Sequence, residues 1–437
     1  MNKIKVFRSS IFHCIENSGS VIASYFEDGL MLVYDGRIVE VGEYSELIGK
    51  IDTDTNITSF KDSLLMPGFI DSHLHYPQYK VIASYGQNLL EWLDKFTFPE
   101  EQKFDNKDYA SEIGNLFFDE LIRNGTTTAM AFCTTHNTSV DTFFTIAKER
   151  NLRMAGGKVL MDRNAPVKIL DDDNAYVDTK SLIESWHNNG RLSYAITPRF
   201  APTSTKEQLR KLGDLLAQYP NSNDCKGVMM QTHLNENYEE IQWVKELYPE
   251  HNNYFDVYDK YKLTGTNSVF AHCIHNSTDE YERIADSGSK VSICPNSNLF
   301  LGSGLFQFDQ LEVYDIDASL SSDIGGGDSF SMFNVMNQAY KVAKLGGYTL
   351  SPIRAFYLTT LAGAKVLNMD DCIGNFEQNK EADFIVLDLK ATSLIEQRLS
   401  AVKDIEQLLF CLMTLGDDRL VSEVYSLGEC IYTKMEA

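Results

Sequence analysis

After Met66-Pro67-Gly68 the chain settles into short apolar runs separated by longer amphipathic stretches. The runs FIDSHLH, TTTAMAF, RMAGGKVL, RLSYAITP, GVMMQTHL, NSVFAHCI, KVSICPNS and DASLSSDI read as strands. Between most of them the apolar positions follow a helical period, as in KDYASEIGNLFFDELIRNG and TKEQLRKLGDLLAQY. Strands alternating with helices predict a parallel sheet, and eight such strands fit a closed (β/α)8 barrel of the TIM type. Upstream the texture differs. VIASYFEDGLMLVYDGRIVEVG mixes β-branched and aromatic residues, with turn signals at Asp28-Gly29 and Asp35-Gly36, so residues 1–65 read as short strands. SPIRAFYLTTLAGAKVLNM reads as one more amphipathic helix, and EADFIVLDLK and VSEVYSLGECIYT return to strand texture. The expectation is an α/β chain with a barrel over 66–370 and a small β-sandwich domain built from both ends, 1–65 and 371–437.

Composition narrows the partners. A formal net charge of −23 repels phosphate backbones, so no nucleic acid is expected as a partner. The N-terminal stretch has basic residues but not the apolar core of a secretory leader. No apolar run approaches the roughly 18 residues of a membrane span, so no membrane association is expected. The eight cysteines form no CxxC pair and read as reduced thiols, which predicts a cytoplasmic location.

The candidate chemistry gathers at strand ends. His73 and His75 lie two apart on a strand and therefore point to one face. His233 ends GVMMQTHL, His272 ends NSVFAHCI, and Asp323 ends DASLSSDI. In a barrel the C-terminal strand ends converge on the catalytic face, so these side chains aim at one place. Singly, each has a plainer reading. An HxH is often a polar strand end, a lone histidine usually makes a structural hydrogen bond, and an aspartate before glycines is often a turn former. Together, at recurrent strand ends, they favour a metal site. His13, His136, His187, His251 and His275 read as non-ligands, and Cys294 as a buried thiol.

These motifs carry a family resemblance. Leu65-Met66-Pro67-Gly68-Phe69-Ile70-Asp71-Ser72-His73-Leu74-His75 resembles the run that opens the first strand of amidohydrolase barrels. Val33–Gly42 and Gly374–Phe384 resemble that family's flanking β motifs. Three further segments narrow the resemblance to the guanine-deaminating branch and would line a pocket or its rim: Tyr76–Tyr79, Leu89–Leu93 with Thr97–Glu101, and Thr197–Phe200. Leu415–Arg419 joins them as a surface or packing motif.

The resemblance implies a hydrolase that takes guanine and water to xanthine and ammonia in purine catabolism or salvage, and commonly a homodimer. It implies that His73, His75, His233 and Asp323 hold one metal, with His272 either a weaker ligand or a water-orienting group. Nitrogen and oxygen ligands suit Zn2+, while Fe2+ or Mn2+ also occupy such sites. The fourth strand ends without a lysine, so a dinuclear carbamylated-lysine centre is not expected. Asp323 takes the water's proton, and Glu236, three residues after His233, shuttles protons; its plain alternative is a helix-start carboxylate. Gln78 and Arg199 would bind the purine's O6 and ring nitrogens, Phe200 would stack on the ring, His233 and His272 would border the substrate, and Tyr76 and Trp92 would close the pocket. Two other readings stay open at this point: a deaminase of another amino-heterocycle such as 8-oxoguanine or a pterin, and a metal-free scaffold.

Overall fold

The computed structural model describes residues 4–435 apart from 18, 87, 223 and 224. Its first strands are not short. β1 (Lys5–Asn17) and β2 (Ser20–Tyr34) run 13 and 15 residues and pair antiparallel along their length, followed by β3 (Arg37–Glu43) and β4 (Ile57–Pro67). Asp28-Gly29, expected to turn, instead lies inside β2 where the register with β1 slips between Ser9 and Ile11. The slip is a bulge rather than a reversal. A Cβ on Gly29 would approach Ile11 to 2.8 Å, and the Asp28 carboxylate is held by Arg8 at 2.7 Å, so the dipeptide is fixed by its cross-strand partners. Asp35-Gly36 does turn, with both residues at positive φ.

The barrel follows. Its strands are β5 (Phe69–His75), β6 (Thr126–Phe132), β7 (Arg153–Gly157) extended by β8 (Val159–Leu160), β9 (Leu192–Pro198), β10 (Met229–Leu234), β11 (Ser268–His272), β12 (Lys290–Ile293) and β13 (Ala318–Leu320). They pair parallel with their neighbours in chain order. First and last meet where Asp323 N–H donates to His73 O at 3.0 Å and His75 N–H to Ile324 O. The lower interior is filled by one residue from each of six strands, Ile70, Met130, Ala155, Ala195, Met229 and Val269, sealed by Ala364, Val366, Leu367 and Met369. Such layering makes the barrel a packed core with its openings at the rims. The two helical patterns read from sequence form Lys107–Arg123 and Lys206–Leu216, capped by Asn106 and Thr205.

The stretch expected as one further helix is two, Pro352–Leu358 and Leu361–Val366. The Thr359 and Thr360 hydroxyls donate to Phe356 O, and Thr359 O accepts Ile70 N–H at 2.9 Å. Hydroxyls bonded back onto a helix carbonyl compete with the helical ladder, and here the freed carbonyl anchors the start of β5. Two helices that the strand texture gave no hint of, Ser393–Leu399 and Ile405–Leu415, lie between β14 (Phe384–Asp388) and β15 (Val421–Ser426); the second packs on the barrel helix Met332–Leu345. β16 (Glu429–Thr433) closes the chain's strands. β14–β16 join β1–β4 in a sheet of order β16-β15-β14-β4-β1-β2-β3. It curls enough to bring Phe7 of β1 to 4.9 Å, centroid to centroid, from Phe384 of β14. The architecture is thus the expected barrel beside a small β unit made by both ends of the chain.

Candidate metal centre and substrate pocket

The pleat of β5 delivers His73 and His75, both buried, to the mouth of the barrel. Three other strand ends complete the cluster by leaving extended geometry. His272 has φ 72°, Asp323 φ 50°, and Asn235, just after His233, φ 51°. Left-handed backbone at non-glycine residues is strained and marks places where the surroundings impose a direction.

The polar atoms converge closely. His73 Nε2 and His75 Nε2 lie 3.2 and 3.4 Å from Asp323 Oδ1, and His75 Nε2 lies 3.2 Å from His233 Nε2. His272 Nε2 sits 3.8 Å from Asp323 Oδ2. The ligand atoms of His73, His233, His272 and Asp323 all fall within 4.8 Å of one another. Two outer contacts orient the rings. His233 Nδ1 pairs with Arg199 O at 2.6 Å and His272 Nδ1 with Asn298 Oδ1 at 2.9 Å. With Nδ1–H donating in each, the Nε2 lone pairs turn inward.

Burial lowers the pKa of His73 and His75, the latter to about 3, and drives His233 well below the usual imidazole range, where His73 and His75 add to the effect. Burial alone would raise Asp323, but the nearness of His73 and His75 holds it far below the carboxylate range. Among the described residues, the buried Nε2 atoms of His73 and His272 make no well-formed hydrogen bond, only the close approaches to Asp323 and Glu236. Inward-facing imidazole nitrogens around a buried carboxylate fit a divalent cation.

Glu236 follows on the loop after β10. Its carboxylate lies 3.4 Å from His272 Nε2 and accepts from Ser303 Oγ at 3.4 Å. Burial, aided by the charge of Asp323, raises its pKa to about 8. Its backbone N–H is held by Glu240 Oε2 at 3.1 Å.

The cluster opens into a pocket lined by Gln78, Leu89, Trp92, Leu93, Arg199, Phe200 and Leu301 together with the polar centre. Gln78, Arg199, Phe200, His233, Glu236 and His272 all line this one cavity. Tyr76 does not line it. Its ring is fully buried among Phe104, Phe117 and Phe143, and its hydroxyl donates to Ser139 O at 2.8 Å. The residue after a strand-end histidine points away from the mouth, and an aromatic there is drawn into the helix layer. Trp92 does line the cavity. Cys294 is fully buried. Sequence reasoning gave no role to Glu101, Asn298, Ser303, Glu240 or Leu301. Only Glu101 carried a signal, as part of the Thr97–Glu101 segment.

The amidohydrolase family profile matches residues 64–429. Guanine deaminase of Escherichia coli (strain K12) is 44% identical over 437 residues, spanning 99% of this chain and 98% of the relative. The solved structure of E. coli guanine deaminase superposes with a TM-score of 0.93 at 42% identity, covering 99% of this chain and all of that one. Guanine deaminase from C. acetobutylicum, solved with guanine bound in its active site, gives 0.88 at 31% identity, covering 98% and 100%. With that profile over most of its length and such relatives over nearly all of it, the chain belongs to the amidohydrolase family, alongside its guanine deaminases.

Proposed function

We propose that this chain hydrolyses guanine to xanthine and ammonia. The observation that carries the reading is a single cavity holding both a set of cation ligands with a buried carboxylic acid, Glu236, and a pair of purine-edge partners, Arg199 and Gln78. The ligand set is His73, His75, His233, His272 and Asp323, and zinc is the metal this nitrogen-rich set suits. A divalent cation bound there supplies Lewis acidity that brings the pKa of water to about 7.

The chain's own residues do the rest. Arg199, which can only donate, meets the O6 carbonyl, and Gln78 Oε1 accepts the N1–H. Phe200 and Trp92 wall the ring with apolar surface. Asp323 takes a proton from the attacking water. Glu236 hands its proton to a ring nitrogen of the amidine and makes C2 electrophilic. Oxygen bonds to C2, the proton taken up by Asp323 passes to the C2 amine, the C2–N bond breaks and ammonia leaves, and the hydroxyl on C2 returns its proton to Glu236 as the new carbonyl forms. The raised pKa of Glu236 supports this role, because an acid must hold its proton at neutral pH to give it.

The free state of all eight cysteines supports a reducing, cytosolic setting, and no helix among the described residues is long and apolar enough to cross a membrane. The family resemblance implies a homodimer, which light scattering measures directly. The shared sheet of β1–β4 and β14–β16 supports dividing the chain into a small domain of 1–65 and 371–437 and a barrel of 66–370.

Ammonia release from guanine, 8-oxoguanine, a pterin, adenine and cytosine, with metal content measured on the same sample, tests the reading. Guanine should lead adenine by about 10⁴-fold or more in kcat/KM, since adenine sets an amine against Arg199 and has no amine at C2. A clear lead for 8-oxoguanine or the pterin moves the chain to another deaminase, and a metal-free, inactive protein returns it to a scaffold.

A further inference from the structure

We propose that Glu101 is a positioning residue that sets substrate selection by holding Arg199 and Gln78 in one donor–acceptor arrangement; the inference rests on the guanine reading above. Its carboxylate is 1% exposed and reaches both partners at once. Arg199 Nη1 donates to Oε1 and Oε2 at 2.9 Å each, and Gln78 Nε2 donates to Oε1 at 3.0 Å. The guanidinium carbon also lies 5.3 Å from the centroid of Phe98, on the same short helix Phe98–Glu101. Among the described residues nothing else hydrogen-bonds the Arg199 guanidinium, which leaves its remaining N–H groups for the cavity it lines.

The same contact decides which way Gln78 faces. Its Oε1 accepts Gly325 N–H at 3.3 Å while its Nε2 is tied to Glu101. A carboxamide held at both ends cannot flip, so its remaining oxygen lone pair is the one offered to the pocket. Arg199 offers an N–H beside it. That pairing recognises a neutral lactam edge, a carbonyl next to a ring N–H, and opposes a ring nitrogen next to a C–H.

Charge points the same way. With Glu101 against it at 2.9 Å, Arg199 is a neutralised donor and not a free cation. It can bind a neutral carbonyl and release a product whose ring is more acidic than the substrate's. Glutamine at position 101 cannot substitute. Three N–H contacts fall on two carboxylate oxygens; an amide has one oxygen and brings two donors of its own, setting donor against donor.

The test compares guanine with 2-aminopurine, which keeps the C2 amine but has a C–H at C6 and no N1–H. Wild type, Glu101→Gln and Glu101→Asp are assayed for kcat/KM on both, with metal content and melting temperature on the same samples. In Glu101→Gln the guanine to 2-aminopurine ratio should fall by about 10²-fold, the loss expected when a buried charged hydrogen bond goes unmade. KM for guanine should change more than kcat, and Glu101→Asp, which keeps the charge, should recover part of the ratio. A general loosening of the fold would lower both substrates together and leave the ratio in place. An unchanged ratio in Glu101→Gln at normal metal content overturns the proposal. If that variant fails to fold, Glu101→Asp decides: its shorter reach must lower the ratio, and a wild-type ratio overturns the proposal. A wild-type enzyme inactive on guanine but active on another base sinks the guanine reading and this inference with it, whereas an active wild type with an indifferent Glu101 sinks only the latter.

Discussion

Glu236 and Glu240 stand four residues apart, both fully buried, and their surroundings ask different things of them. Glu236 faces the cavity beside His272 and has its pKa raised to about 8, and in the proposed reaction it carries the proton between water and substrate. Glu236→Gln should retain the metal and the fold and lose about 10²–10⁴-fold in kcat, because the amide keeps the shape but cannot transfer the proton. Near-normal turnover in that variant removes Glu236 from the reaction. Glu240 faces away. It accepts from the backbone N–H of Glu236 and from Tyr254 at 2.8 Å, and burial raises it from 4.5 to about 7. A raised folded-state pKa means the native state binds the proton more tightly than the unfolded one. Its contribution is complete below 4.5 and is lost as pH rises toward 7. Wild-type melting temperature relative to Glu240→Gln should therefore fall across that window; a difference flat with pH contradicts the assignment. Among the site residues, the histidines and Asp323 were legible because strand ends in a barrel share one rim. Asn298 was not, and Glu101 only as part of the Thr97–Glu101 segment, because a helix-borne side chain that orients another has no period or spacing that announces its target.

Strand ends and close strand approaches shape the site at the scale of elements. His272, Asp323 and Asn235 depart into left-handed backbone at the rim, which turns their neighbourhood from the sheet toward the common centre. Deeper in the wall, β7 and β9 approach so closely at Gly157 that a Cβ there would lie 1.8 Å from Ala195 O. Backbone cannot yield as a side-chain tip can, so Gly157→Ala should cost about 1–3 kcal/mol, toward the upper end, and lower the melting temperature. An unshifted melting curve shows that the wall is softer than this. The barrel strands were readable because each is a buried apolar run between helical patterns. The reading failed where tertiary partners decided. Asp28-Gly29 has turn chemistry, yet Arg8 and Ile11 across the ladder keep β2 extended. Thr359-Thr360 sits in a smooth helical pattern but breaks it to hold the start of β5.

The whole molecule separates its chemistry from its cohesion. At the rim opposite the cavity, Arg153 and Arg191, at the starts of β7 and β9, converge on Glu381 between the small sheet and the barrel. Arg153 Nε donates to Glu381 at 2.8 Å, Arg191 Nη2 at 2.8 Å, and Arg191 also reaches Asp383. Burial would raise Glu381, but Arg153 and Arg191 outweigh it and hold its pKa below the usual range. Removing one member of such a buried set strands the others, so Glu381→Ala should cost about 3–5 kcal/mol. The candidate metal ligands stand at the opposite rim, at the ends of β5, β10 and β11 and just after β13, and the packed layer of Ile70, Met130, Ala155, Ala195, Met229 and Val269 lies between them and that clamp. Chelation should therefore abolish ammonia release while circular dichroism at 25 °C keeps its native form, and added zinc should restore turnover. Glu381→Ala should do the reverse, with an early melting transition and a metal content like that of wild type. The two perturbations are measured on the same pair of assays. Activity surviving in protein with no detectable metal ends the metal-centre reading. Loss of helical signal on chelation shows instead that the five-residue cluster at the rim carries part of the cohesion assigned here to the core and the clamp.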